Sequence, residues 1–187
     1  GSHLYRAGFW YTPGIKGKPT IKMYKDTLKK GGLTSLDVGW DPEGFTKENR
    51  EILYDTLNYT NYFFANEKEI KYITQKDNIE QAYEDLLGIS TGLDDPILII
   101  HRGEKGSAII RRREKIFIDQ HDIGQSINVV NPTGTGDVFN GAFLHGRLHG
   151  YNLKTCVKFA NAAALVHIQD LNKIYPKLTD VEKIYKL

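Results

Sequence analysis

Apolar positions along this chain follow two periods that take turns. Short apolar runs bounded by Gly, Pro or Asn predict strands at Leu4 to Trp10, Leu33 to Val38, Tyr62 to Ala65, Ile97 to His101, Ser107 to Arg111 and Ile116 to Asp119. The Ile97 run is continuously apolar, as a strand covered on both faces requires. Between the strands the apolar residues recur every three or four positions. Ile79, Ala82, Tyr83, Leu86 and Leu87 have this spacing and predict an amphipathic helix within Asn78 to Gly88. A second helix is expected from Thr20, as its cap, to about Lys30, with Met23, Tyr24 and Leu28 inward and Gly31 and Gly32 at its end. Thr46 opens a helix carrying Ile52, Leu53 and Leu57, and Asn66 caps a short one. Asp137 to Leu148 places Phe139, Ala142, Phe143 and Gly146 on one face; Asn152 precedes a helix with Val157, Ala160, Ala164, Leu165 and Ile168 inward. Thr179 and Glu182 read as a capping box for a last helix. Strands alternating with helices predict an α/β class with a mainly parallel sheet covered on both faces.

Composition narrows the function classes. The 187 residues are 40% hydrophobic and 26% charged, which suits one globular domain with a sizeable core. A formal net charge of +2 lacks the concentrated basic field of a nucleic-acid binder, and the Arg111, Arg112, Arg113 run reads as a solvated strand end or hairpin. One cysteine, Cys156, cannot form an internal disulfide, which points to a reducing, cytoplasmic setting. No apolar run approaches the roughly 20 residues that span a bilayer, so no membrane partner is expected. Gly1, Ser2 and His3 read as a cloning scar, leaving one domain over 4–187.

Chemistry concentrates in Asn131 to Phe143, NPTGTGDVFNGAF, a glycine-rich turn running into a helix. Gly134 and Gly136 remove side chains where a backbone must approach a ligand, and the helix N-terminus favours anions. Asp137 follows directly, where a carboxylate can take a proton from an attacking hydroxyl; alternatively it is a helix cap. His145 and His149 stand at i and i+4, a spacing that can chelate zinc, but no third ligand is apparent. The GIKGKPT stretch at Gly14 to Thr20 has the wrong spacing for a phosphate-binding P-loop.

The PTGTGDVFNGAF stretch resembles the second signature of the PfkB (ribokinase-type) carbohydrate kinases, D-T-x-G-A-G-D-x-F-x-x-[GA]-F. By that resemblance Gly134, Thr135 and Gly136 supply backbone donors to the transferring phosphoryl group of ATP, and Asp137 is the general base. Asn66 to Glu69, NEKE, is similar to the family's N-x-x-E motif, whose Asn and Glu order magnesium-bound water. His101 to Gly106, HRGEKG, resembles its nucleotide loop: Gly103 and Gly106 admit purine and ribose beside His101, Glu104 and Lys105. Ala160 to Ala164, ANAAA, resembles the helix lining the adenine pocket, with Asn161 near the base. Taken alone, NEKE is an ordinary helix start, HRGEKG a strand connection, and ANAAA a closely packed helix.

The resemblance runs from Leu4 to Leu187 and implies a doubly wound fold lacking its N-terminal half, where the lid and most sugar contacts lie. It therefore implies a sugar or nucleoside kinase using ATP and Mg2+, incomplete for catalysis as it stands; a nucleotide-binding module without turnover is the alternative. The SLDVGWDP segment with Asp37 and Asp41 resembles the strand facing the phosphate end of the site. An uncovered sheet side would favour self-association, such as a homodimer. Two departures stand out. The family's leading acidic residue is here Asn131, and the small-residue loop after the alanine-rich helix reads QDLNK at Gln169 to Lys173, which counts against potassium activation.

Overall fold

The computed structural model describes residues 2–119, 129–170 and 175–185. Six strands hydrogen-bond in chain order: β1 (His3–Arg6), β2 (Leu33–Asp37), β3 (Tyr62–Asn66), β4 (Ile97–His101), β5 (Ser107–Arg111) and β6 (Glu114–Ile118). β1 pairs parallel with β2, His3 opposite Leu33, and β2 parallel with β3, Ser35 opposite Tyr62. Arg102 to Gly106 joins β4 to β5, and Arg112 and Arg113 join β5 to β6. Connections that short cannot cross over, so these two joints are hairpins and the sheet is mixed, mainly parallel. The helices are α1 (Lys18–Lys29), α2 (Lys47–Leu57), α3 (Glu67–Thr74), α4 (Ile79–Ile89), α5 (Thr135–Leu148), α6 (Leu153–Gln169) and α7 (Leu178–Glu182). The chain divides into two compact units, Gly1–Ile100 with Ile110–Lys115, and His101–Ile109 with Ile116–Leu187.

In the first unit each parallel pair is bridged by a helix, as parallel pairing requires. Its core holds Phe9, Tyr24, Leu36, Phe45, Leu53, Phe63, Phe64, Ile70 and Ile73, all fully buried. Each such side chain contributes roughly 1.5–3 kcal/mol on leaving water. The arginine run is the expected hairpin: Arg111 pairs with Asp95 and Glu114, and Arg112 donates to Ser90 O at 2.8 Å.

Several expectations for this unit are corrected. β1 stops at Arg6 instead of Trp10, and His3, set aside on sequence grounds, belongs to it and stacks on Tyr62. Thr20 does not cap α1, which starts at Lys18 with Gly17 (φ 70°) at its N-cap. Pro19 presets the first turn, and the buried Thr20 hydroxyl is drawn into tertiary contacts, accepting from Arg6 Nε at 3.1 Å and donating to Ile15 O. Met23 faces solvent; only Tyr24 of the expected trio is fully buried.

The second unit is built on α5 against α6. Gly146 allows their close approach, since a Cβ there would lie 3.0 Å from Cys156 Sγ. Phe159, Ala162, Ala163, Val166 and Val181 form a core joined by Val138 and Ala142. The expected Thr179–Glu182 capping box is absent: α7 begins at Leu178, with Lys177 as an N-cap whose side chain makes no capping bond. Burial of Val181 against α6 sets this register. No helix among the described residues is long and apolar enough to cross a membrane.

Candidate functional site

The glycine turn enters α5 through Gly134, whose φ of 80° puts it in the left-handed region that glycine tolerates best. Gly134 is therefore the N-cap, and Asp137 lies in the first turn. That removes the simple capping explanation for Asp137. The first intrahelical bond is Val138 N–H to Gly134 O at 3.0 Å. Thr135 turns inward: its N–H meets Pro132 O at 3.3 Å and its hydroxyl donates to the same oxygen at 2.7 Å. Thr135 is thus committed to closing the turn, unlike the donor role expected for it. Among the described residues no hydrogen bond is found to the Gly134, Gly136 or Asp137 amides, which form the open end of the helix. A partial positive charge accompanies such an end.

Asp137 is exposed, and among the described residues its carboxylate has no hydrogen bond or ion pair. It borders a cleft of about 370 Å³ lined mainly by apolar groups, among them Ala142, Phe159, Tyr175 and Leu178. His145 lines the same cleft, while His149 directs Nδ1 at the His145 carbonyl, 2.9 Å away.

His101 lies against this turn. Its Nε2 is 3.0 Å from Asn140 Oδ1, and its ring packs edge-on to Phe139. A Cβ on Gly136 would sit 3.5 Å from the His101 ring, an ordinary contact, so at Gly136 only larger side chains would crowd the opening. Burial pushes the His101 pKa down to about 4, partly opposed by the Asn140 bond. The imidazole is neutral at pH 7, and Asn140 Oδ1 as acceptor places its proton on Nε2.

The following loop is a tight turn. Arg102 N–H donates to Gly106 O and Gly106 N–H to Gly103 O, both at 2.9 Å. Gly103 (φ 58°) and Gly106 (φ 84°) adopt conformations that disfavour side chains, while Glu104 and Lys105 stay exposed. Directly after it Ser107 Oγ donates to Asn161 Oδ1 at 3.0 Å, joining the loop to α6. Asn161 is 4% exposed, and among the described residues its Nδ2 has no partner. Flipping the amide would only exchange the orphan atom.

His167 was not singled out in the sequence. Its Nε2 lies 2.8 Å from Thr133 O, tying α6 to the residue before Gly134. A histidine at the end of an alanine-rich helix gives no local sign of such a contact.

Asn66 and Glu69 belong to the first unit and form the capping box of α3. Glu69 N–H donates to Asn66 Oδ1, and Asn66 N–H to Glu69 Oε2, both at 2.8 Å. Burial raises the Glu69 pKa, opposed by its bonds to Asn66. Asp41 of the SLDVGWDP segment is also internal. It accepts from the Glu43 and Phe45 amides at 3.0 and 2.8 Å and from Asn49 Nδ2 at 2.9 Å. These bonds hold Phe45 at φ 58°, unusual for a bulky residue. In the QDLNK segment Leu171, Asn172 and Lys173 lie outside the described residues.

A family model described as pfkB family carbohydrate kinase matches residues 25–180. The chain belongs to the pfkB carbohydrate kinase family. It is 34% identical to a ribokinase of Arabidopsis thaliana over 89% of this chain and 42% of that protein. It is 31% identical to a nucleoside kinase of Methanocaldococcus jannaschii over 71% of this chain and 39% of that one. The chain thus spans about two fifths of the length of these curated pfkB relatives. Its fold matches a putative ribokinase II from E. coli with a TM-score of 0.81 at 21% identity, covering 98% of this chain and 58% of that one. A ribokinase from Thermotoga maritima matches with a TM-score of 0.76 at 24% identity, covering 100% and 57%. These two likenesses establish the ribokinase-like fold.

Proposed function

We propose that this chain carries the nucleotide-binding and base-bearing part of an ATP-dependent phosphotransferase acting on a hydroxyl of a sugar or nucleoside. One observation carries the reading: among the described residues the Asp137 carboxylate has no partner, and it stands in the first turn of a helix whose Gly134, Gly136 and Asp137 amides are open. An anion at those amides meets preorganised donors, which typically supply a few kcal/mol to a transition state. Asp137 then accepts the proton of the acceptor hydroxyl as its oxygen attacks the γ-phosphorus. The bond to the β-phosphate oxygen breaks, and ADP leaves.

The adenine end is assigned to the turn from His101 through Gly103, Glu104, Lys105 and Gly106, and to Asn161. The orphan Asn161 Nδ2 supports this, because a buried amide without a partner costs about 1–3 kcal/mol that a ring nitrogen acceptor would return. Mg2+ is assigned to Asn66 and Glu69 through water. Asn66 Oδ1 and Glu69 Oε2 each already accept a backbone amide, and contact with the ion through water is compatible with those bonds. When bound, the ion neutralises phosphate charge. The acceptor class is supported by the relatives named ribokinase and nucleoside kinase.

Titrating the chain with ATP by calorimetry tests the reading. ATP should bind, and Gly136→Val should weaken ATP without weakening adenosine, because the added methyls crowd the opening beside His101. Unchanged ATP affinity in Gly136→Val would place the phosphates elsewhere.

A further inference from the structure

We infer that His167 is a positioning residue for the phosphate site: by fixing the Thr133 carbonyl it turns the Gly134 amide into the anion-binding opening. The inference rests on the nucleotide reading above. His167 is 6% exposed, and its Nε2 lies 2.8 Å from Thr133 O. A carbonyl only accepts, so that nitrogen carries the proton. In a planar trans peptide the C=O of one residue and the N–H of the next point in opposite directions. With the Thr133 carbonyl turned to His167, the Gly134 N–H faces away from α6.

The same ring guards the other side of the turn. A Cβ on Gly134 would lie 3.6 Å from His167 Nε2, so the imidazole covers the face of Gly134 opposite its amide. The neighbouring donors are already spoken for. Thr133 N–H is bound to Asn131 Oδ1 at 3.0 Å, and Thr135 N–H closes on Pro132 O. Gly134 N–H is therefore the one amide of residues 133–135 left without a bond among the described residues, and the His167 contact fixes its direction. Without that contact the peptide between Thr133 and Gly134 can rotate, since Gly134 tolerates both signs of φ. The donor would then be lost while the adenine-facing Asn161 stayed in place.

This predicts a split between ligands that have phosphates and ligands that lack them. His167→Leu keeps an apolar side chain of similar bulk but no donor; in His167→Gln the amide Nε2 replaces the imidazole Nε2 at nearly the same reach. Calorimetric titration of the full chain with ATP and with adenosine should show His167→Leu weakening ATP about tenfold, as loss of one hydrogen bond to a charged group implies. Adenosine affinity should stay unchanged, and His167→Gln should restore ATP. Equal weakening of both ligands, or no rescue by Gln, would reduce His167 to a structural residue and overturn the inference. Wild-type protein that binds neither ligand would instead overturn the nucleotide reading. Should His167→Leu fail to fold, the wild-type Gly134 amide resonance decides the matter. It should move on adding ATP but not adenosine, and indifference to ATP overturns the inference.

Discussion

Removing a buried hydrogen-bonded pair should leave the unliganded protein no less stable while weakening its hold on nucleotide. Asn161 is 4% and Ser107 1% exposed, and they share one 3.0 Å bond. Against that bond, worth about 1 kcal/mol net, stands the orphan Nδ2, which costs about 1–3 kcal/mol. Replacing both partners by apolar groups, Ser107→Ala with Asn161→Leu, removes the bond and the orphan together. The double variant should be between neutral and about 2 kcal/mol more stable in urea denaturation. Asn161→Leu alone leaves the Ser107 hydroxyl unsatisfied and should be about 1 kcal/mol less stable than the double variant. If Nδ2 awaits the nucleobase, ATP and adenosine should both weaken about tenfold in the double variant. A strongly destabilised double variant would show that Nδ2 is not an orphan, and one that binds both ligands as before would show that Nδ2 does not meet the nucleobase.

Two further perturbations probe the frame around the site. Asp41→Ala strands the Glu43 and Phe45 amides and releases the strained Phe45; urea denaturation should register a loss of about 3 kcal/mol or more. His101 is held neutral, with its pKa pushed down to about 4, while the unfolded chain titrates near 6.5. The unfolded state therefore binds more protons below pH 6.5, and stability should fall between about pH 6.5 and 4 by roughly 3 kcal/mol from this group. His101→Gln, measured by thermal denaturation across that range, should flatten this part of the profile.

The sequence revealed what repeats locally. The helix over Asn78 to Gly88 was legible because its apolar residues follow one period, and Thr46, Asn66 and Asn152, placed at helix starts, do cap α2, α3 and α6. Thr20 misled because it has a cap's chemistry but is claimed by Arg6, fourteen residues earlier; Pro19 was the better sign of the helix start. The glycine turn and the helix after it were legible from GTGD, but the assignment of donors within it was not. Thr135 spends its groups on Pro132, a choice made by backbone geometry. Contacts that organise the site join residues far apart: His101 with Asn140, Ser107 with Asn161, and Thr133 with His167. Pairings at such separations leave no periodic mark in one sequence.

The role of Asp137 as base of a phosphoryl transfer is tested by the turnover of Asp137→Asn in the longest available form of the protein. With the acceptor saturating, kcat should fall by about 10²–10⁴ while calorimetric ATP affinity stays within about twofold, since the carboxylate acts on the acceptor proton. Near-normal kcat in Asp137→Asn would contradict that role.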